Sequence, residues 1–547
     1  MTSAVGEVAA RATSATAEPG EAHGFAARIR SSRAVAAVLG AAAFLAVALT
    51  AGDPGVTWDE PAYLSSARLE LAWLGGVPAH AVDGSLPSWT SAETLAAHWN
   101  VNPYNNPHPP FYKVLAGLGW ALFHPLLGDY PAFRLSSAAL FALVVAVLAL
   151  WGVHAAGSRA AGVGAALAWA LMPRAVGDAH VAATDMPLTA FWTLAAWFFW
   201  RAARSPARHH VLLFGACWGM ALATKFNGFL LPAPLVLWGL LHARREVPRL
   251  LIVGGVVALG LMVLLNPHLW PDPLGRTLAF IQKSTSREEW APIWTYYMGR
   301  VHPFVLPWHH ASVLTLITLP LPLLVLAGAG ALRIRERRLR PLVLLCLVQV
   351  VFHQALMALP ASPGHDGVRL FLPQFPFLAL LAGLGFGRLW ELVRARAGEG
   401  RAALARAALV AVFFAPPLAA VAHSHPVQLA YYNEVVGGAA GAHARGFEST
   451  YWFDAATPEF LRRIERELPR GARVWAHPAP SQWTELQRAG LLRADLVFTD
   501  VLPAPYLLLL TRQGIFSPFE WRLHRAVRPL VSRDLDGVTL IALYAWE

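Results

Sequence analysis

The chain has 547 residues, 56% of them hydrophobic and 14% charged. Soluble domains average about 45–50% apolar and about 25% charged residues, so a soluble globule of this make-up would expose large apolar patches and aggregate. The net charge of +11 rests on 41 Arg and 3 Lys, yet residues 425–547 hold 13 Arg against 13 acids; the excess lies in the apolar part, where it orients a polytopic membrane protein and implies no nucleic acid.

Residues 1–33 are polar, Ala-rich and Arg-tipped, which predicts a disordered cytoplasmic N-terminus. A membrane span needs about 20 mostly apolar residues. Runs of that kind sit near 34–51, 134–153, 160–173, 186–200, 211–224, 228–242, 250–266, 312–332, 341–359, 370–393 and 404–422. The expected fold is therefore mostly α: a polytopic helical bundle of about 11 spans over 34–423. Residues 111–124 are apolar but too short to span and predict a helix lying at the interface.

One alternating set of loops carries twenty arginines, from Arg11 to Arg406; the opposite, longer set carries nine Arg and Lys. That asymmetry predicts a cytoplasmic N-terminus in an inner or plasma membrane. The odd count then puts residues 424–547 outside. The two long outer loops, 52–133 and 267–311, are rich in Trp, Pro and His. An aromatic belt explains single tryptophans, but long outer loops beside short inner ones point to function.

The tail, 424–547, changes character. Thr457-Pro458-Glu459 opens a helix with a capping residue and an early proline. Strand-like runs follow at 472–476, 495–499, 506–511 and 538–546, so a small extracytoplasmic α/β domain is expected. Cys217 and Cys346 both lie in apolar runs, which argues against a disulfide framework or a cysteine metal site.

The outer side gathers the chemistry. Asp59 and Glu60 in TWDEPAY follow the first span closely, held by Trp58 and Pro61; a carboxylate there can take a proton from a hydroxyl or bind a metal. Asp178 and Asp185 flank another outer turn, with Asp185 just before Met186-Pro187, where a helix cap is the plain alternative. Lys225 and Arg369 open outer-facing segments, and Arg134 starts RLSSA. Each reads as a snorkelling cation or as a phosphate ligand. His108 and Lys113 stand in NNPHPPFYK, where a rigid turn is the simple reading. No Walker loop and no G-x-S-x-G elbow occurs. Acids suit a hydroxyl nucleophile and cations a phosphate leaving group, so the expected substrate is a lipid-linked phosphate arriving through the membrane.

These motifs resemble the membrane glycosyltransferases that use polyprenyl-phosphate sugars: the protein O-mannosyltransferases and lipid A aminoarabinose transferases, of GT-C fold. The resemblance runs over roughly 34–440. It rests on TWDEPAY (57–63), HPPFYK (108–113), RLSSAALFAL (134–143), ATDMPLTAFW (183–192), ATKFNGFLLP (223–232), VRLFLPQFPFLALLAG (368–383) and LAYYNEVVGG (429–438). It implies inverting transfer, with Asp59 as base beside Glu60, Asp185 as second carboxylate, and Lys225 and Arg369 near the carrier phosphate. Asp178, Arg134, His108 and Lys113 join them as candidate substrate ligands. The aminoarabinose branch carries Glu-Lys-Pro-Pro where Pro107-His108 stands here, and its Glu is associated with a metal. No cofactor is expected with certainty, and room is left for a divalent metal ion.

The sequence thus predicts an inverting glycosyltransferase of the family 39 kind. It would move a sugar from a polyprenyl-phosphate carrier to a protein, lipid or glycan acceptor, through a hydroxyl or phosphate, on the extracytoplasmic face. The alternatives are a transporter or flippase of a lipid-linked sugar, and a non-catalytic subunit of a glycan assembly complex.

Overall fold

The computed structural model describes residues 19–99, 108–205, 207–290 and 293–546. Residues 1–18 of the expected disordered segment lie outside these. From Pro19 the chain is helical, running unbroken into the first apolar helix, α1 (Pro19–Ala48). Its alanines, the best helix formers, carry the helix back past the span.

Helix α2 (Asp59–Val82) and the apolar α3 (Phe111–Leu127) follow. Then come α4 (Asp129–Ala156), α5 (Arg159–Ala170), α6 (Pro173–Ala179), α7 (Asp185–Ala202), α8 (Arg208–Leu222) and α9 (Pro232–His242). Helix α10 (Val247–Leu264) leads through α11 (Pro273–Thr285) and a short hairpin, β1 (Thr295–Tyr297) and β2 (Arg300–His302), into α12 (His310–Thr318) and α13 (Leu321–Ala331). The last apolar helices are α14 (Arg340–Met357), α15 (Phe375–Arg396) and α16 (Glu399–Ser424).

All eleven expected runs are helical, but they are not eleven equal spans. Among the described residues six helices are long and apolar enough to cross a membrane, or eight if each of two bent pairs is one span. The difference lies in α7, α8 and α9. Helices α8 and α9 have 15 and 11 residues, and α7 interrupts its apolar face with Asp185, Thr189 and Thr193.

The bends have local causes. Helices α12 and α13 meet at 115°. Pro320 has no N–H to continue the helix, and Leu319 before it is extended (φ −98°, ψ 136°). The carbonyls left open at the end of α12 are answered by Asn433, which is fully buried. Its Nδ2 donates to Leu316 and Leu319 at 2.7 Å each, and its backbone N–H donates to Ile317 at 2.8 Å. The LAYYNEVVGG segment therefore holds a broken helix in place. Helix α15 is the bundle's axis: from Phe375 to Gly387 every residue is buried except the half-buried Leu378. It approaches α5 and α13 through glycines, and a Cβ on Gly330 would overlap the Leu381 carbonyl oxygen.

The tail folds around a five-stranded sheet of order β4-β3-β5-β7-β6. Strands β3 (Arg473–His477), β4 (Val497–Thr499) and β5 (Tyr506–Leu510) are parallel, and β7 (Val538–Ala545) runs antiparallel to β5 and to β6 (Val531–Leu535). Helices α17 (Pro458–Glu467), α18 (Pro480–Arg488) and α19 (Pro518–Ala526) complete it. Thr457 caps α17 as the sequence predicts, accepting from Phe460 N–H at 3.2 Å. Strand β6 was not expected; Asp536-Gly537, both at positive φ, makes the tight turn that pairs it with β7. The tail is bonded to the first outer loop: Gly55 N–H donates to the Asp454 carbonyl at 2.8 Å, and Gln482 Nε2 to the Val56 carbonyl at 2.9 Å.

Candidate active site

Asp59 and Glu60 are the first two residues of α2, and Pro61 falls in the first turn, where no intrahelical donor is lost. Consecutive helical residues point about 100° apart. Glu60 turns inward. It is fully buried and forms a two-pronged ion pair with Arg134, 2.7 Å on each oxygen. It also accepts from Thr57 and Ala182 N–H at 2.9 and 3.0 Å. Arg134 spends its remaining donors on the carbonyls of Ala51, Pro54 and Gly55. The structure thus places Glu60 and Arg134 in a clamp that ties loop 51–57 to α4.

Asp59 turns the other way and keeps 27% of its side chain exposed. Its partner is Arg369, which opens a 3₁₀ turn (Arg369–Gln374) ahead of α15. Arg369 Nη1 lies 3.5 Å from Asp59 Oδ2 and 3.1 Å from Asp366 Oδ2, and its Nε lies 3.4 Å from Asp185 Oδ2. The guanidinium stacks on Trp452, 4.3 Å from the ring centre. Asp185 also meets Lys225, Nζ to Oδ1 at 2.5 Å. Asp185 is the first residue of α7, where the helix dipole favours a negative charge. Thr184 takes the cap position, so the carboxylate is turned to the cations.

Asp178, on α6, is buried, and its Oδ2 has no hydrogen-bond partner among the described residues. It lines a small hollow with Arg174, Asp366, Arg369, Tyr451 and Trp452. Arg174 lies over the Tyr432 and Tyr451 rings at 4.6 and 5.5 Å. A second arginine, Arg512 from the tail, pairs with Asp366 Oδ1 at 2.9 Å. Four aspartates and four cations thus meet between the bundle and the tail.

Lys225 also lines a cavity of about 630 Å³. Its polar lining includes His108, Asn266, Arg276 and Lys283, and its walls include Leu222, Phe226, Phe229, Met262 and Leu269. His268 lines it too. Burial, then the nearby Arg276, push that imidazole down to about 4, which keeps it neutral. An apolar hollow lined also by Lys225, Arg276 and Lys283 suits an amphiphile with an anionic head.

Lys113 is placed elsewhere than in this site. It is fully buried against Glu70, Nζ to Oε1 at 3.5 Å, and donates to the His108 carbonyl at 3.0 Å. Burial pushes the Glu70 carboxyl up to about 7 despite this lysine. Of the residues expected from the sequence, Asp59, Asp178, Asp185, Lys225 and Arg369 come together, and His108 lines the cavity. Asp366, Arg512, Arg174 and Trp452 were missed, as were Arg276 and Lys283 as cavity residues. No group of three His, Cys, Asp or Glu is placed to hold a metal among the described residues. The acids Asp59, Asp185 and Asp366 are each answered by Lys or Arg.

Residues 107–270 match the family described as dolichyl-phosphate-mannose-protein mannosyltransferase. The fold is similar to two crystal structures of ArnT from Cupriavidus metallidurans. One, bound to undecaprenyl phosphate, is 16% identical with a TM-score of 0.50. The other, in the apo state, is 17% identical with a TM-score of 0.50. Each likeness covers 92% of this chain and 97% of that one. No curated protein matches the chain. At these identities the two structures speak for the fold alone; the family match spans the segment that holds Asp178, Asp185 and Lys225.

Proposed function

We propose that this chain is a membrane glycosyltransferase of the GT-C type, as its family match and its fold support, and that it moves a sugar from a polyprenyl-phosphate carrier to a hydroxyl or phosphate acceptor on the extracytoplasmic face, with inversion. The observation that carries this is Arg369, which joins Asp59 to Asp185, while Asp185 joins Lys225, which lines the apolar cavity. The solved relative that holds undecaprenyl phosphate supports a polyprenyl carrier.

In the proposed cycle the carrier's first isoprene units fill the cavity and its phosphate meets Lys225 and Arg369. Asp59, the most accessible acid of the cluster, takes the proton of an acceptor hydroxyl. The acceptor oxygen attacks the anomeric carbon from the face opposite the phosphate. The bond from that carbon to the phosphate oxygen breaks, and polyprenyl phosphate leaves with one more negative charge. The charges fit: a proton on Asp59 removes one negative charge from the cluster as the leaving phosphate gains one, and Arg369 is released toward the phosphate. General-base help of this kind is worth about 10²–10⁴-fold.

The orientation is also proposed: eleven crossings, a cytoplasmic N-terminus and an extracytoplasmic tail, supported by twenty arginines on one set of loops against nine cations on the other. The acceptor is a protein, lipid or glycan, and the candidates are separated by comparing the glycans of cells with and without the chain. The direct test uses purified chain in nanodiscs with a radiolabelled polyprenyl-phosphate sugar. Release of free polyprenyl phosphate with sugar transfer supports the reading. Movement of intact donor across the bilayer without release sinks it. Arms with a chelator and with added Mg²⁺ report any contribution of a divalent ion.

A further inference from the structure

The tail reaches the cation cradle through Trp452, stacked on Arg369, and through Arg512, which meets Asp366. Asp366 has φ +59°, in the left-handed region that few non-glycine residues adopt, and Gly367 follows at φ +69°. This turn faces the two Asp366 oxygens to different arginines: Oδ2 to Arg369 at 3.1 Å and Oδ1 to Arg512 Nη2 at 2.9 Å. Arg512 follows β5 in the tail and is 1% exposed. Its Nη1 donates to the Tyr451 carbonyl at 2.8 Å, and its guanidinium lies 5.1 Å from the Trp58 ring centre. Trp58 immediately precedes Asp59. Arg512 therefore touches both neighbours of the Arg369–Asp59 pair.

The distances say what this does. Arg369 sits closer to Asp366 than to Asp59 or Asp185, at 3.1 Å against 3.5 and 3.4 Å. A carboxylate fixed from behind by a second arginine holds the guanidinium off the other two. Without it, Arg369 would settle fully on Asp59 and Asp185, tying up the base and turning its own charge away from a phosphate. We infer that Arg512 is a positioning residue, acting through Asp366 to keep Arg369 available to the carrier phosphate, so that the carboxy-terminal sheet is part of the phosphate-binding unit.

This rests on the reading of Lys225 and Arg369 as the phosphate cradle, and the test separates the two. The full chain in nanodiscs is titrated with undecaprenyl phosphate and, in parallel, with undecaprenol, which lacks the phosphate. R512M and D366N are each expected to weaken undecaprenyl phosphate binding about tenfold while leaving undecaprenol unchanged. R512K, which keeps a cation, recovers most of the loss. The double variant R512M/D366N binds no worse than D366N alone, because both act along one line. D366N tests the inference even where R512M does not fold, since Asn also adopts the left-handed turn. A folded R512M or D366N with wild-type phosphate affinity overturns the inference alone, as do additive losses in the double variant. A wild-type chain that does not prefer undecaprenyl phosphate over undecaprenol overturns the cradle reading and this inference with it.

Discussion

Lys225 and Arg369 share one carboxylate, that of Asp185, from opposite sides: Nζ stands 2.5 Å from Oδ1 and Nε 3.4 Å from Oδ2. All three side chains are nearly inaccessible, with 5%, 8% and 2% exposed. A cation buried beside a carboxylate that loses its charge is left without compensation, a change that costs about 3–5 kcal/mol. Asp185→Asn should therefore lower the melting temperature as well as abolish most transfer. Wild-type melting and turnover would mean that the cations are balanced from elsewhere.

Asp59→Asn should behave differently. Asp59 is the more exposed acid and its arginine lies at 3.5 Å, so little folding stability rests on it. Turnover should fall about 10²–10⁴-fold with near-native melting. Near-normal kcat in purified Asp59→Asn would remove it as the base.

Its neighbour should show the reverse pattern. Glu60→Gln strips the charge from a fully buried pair that also organises three loop carbonyls through Arg134. A loss of about 3–5 kcal/mol is expected, read as poor yield of folded protein or a strongly lowered melting point. A folded Glu60→Gln chain that melts normally but has lost turnover would give Glu60 a chemical role.

The tail should loosen as pH rises. Burial pushes the Glu448 and Asp454 carboxyls up to about 7. Their folded values stand above the ordinary carboxylate range, so the stability they contribute is full below about pH 4. It is lost as pH climbs through about 7, when both must ionise inside the protein. Glu448 accepts from Tyr296 N–H at 2.6 Å and Gly514 N–H at 2.8 Å, joining the second outer loop to the tail. Hydrogen exchange of residues 294–297 and 513–515 between pH 5 and 8 should rise with pH and flatten in Glu448→Gln. Exchange independent of pH would contradict it.

Much of this site is visible in the sequence because its acids and cations interrupt apolar runs. Asp185 and Lys225 stand out where an uncharged residue would be ordinary. Local pattern alone does not separate Asp59 from Glu60, and only the resemblance singles out Asp59, because residues 59–82 carry no continuous apolar run and read as loop. Gly75, Gly76 and Pro78 hide the helix α2 that sends one carboxylate to the site and the other into a clamp. Arg134 and Lys113 read as phosphate ligands for the same reason: a buried cation facing Glu60 or Glu70 carries no local mark of its partner. Asp366 and Arg512 are further still, on different sides of the last span, in segments with no shared motif. Their pairing is a product of how the tail docks. The eleven crossings rest on composition: α8 and α9 are only 15 and 11 residues long and α7 carries Asp185, Thr189 and Thr193, so by length and hydropathy six to eight of the described helices qualify on their own.

The cavity beside Lys225 is the size of a small-molecule pocket, about 630 Å³. On the proposed reading, whatever length of the carrier exceeds this pocket stays among the bilayer's acyl tails. Discrimination between carriers then acts on the first units next to the phosphate, and a truncated prenyl donor that keeps those units should be used nearly as well as the full-length one.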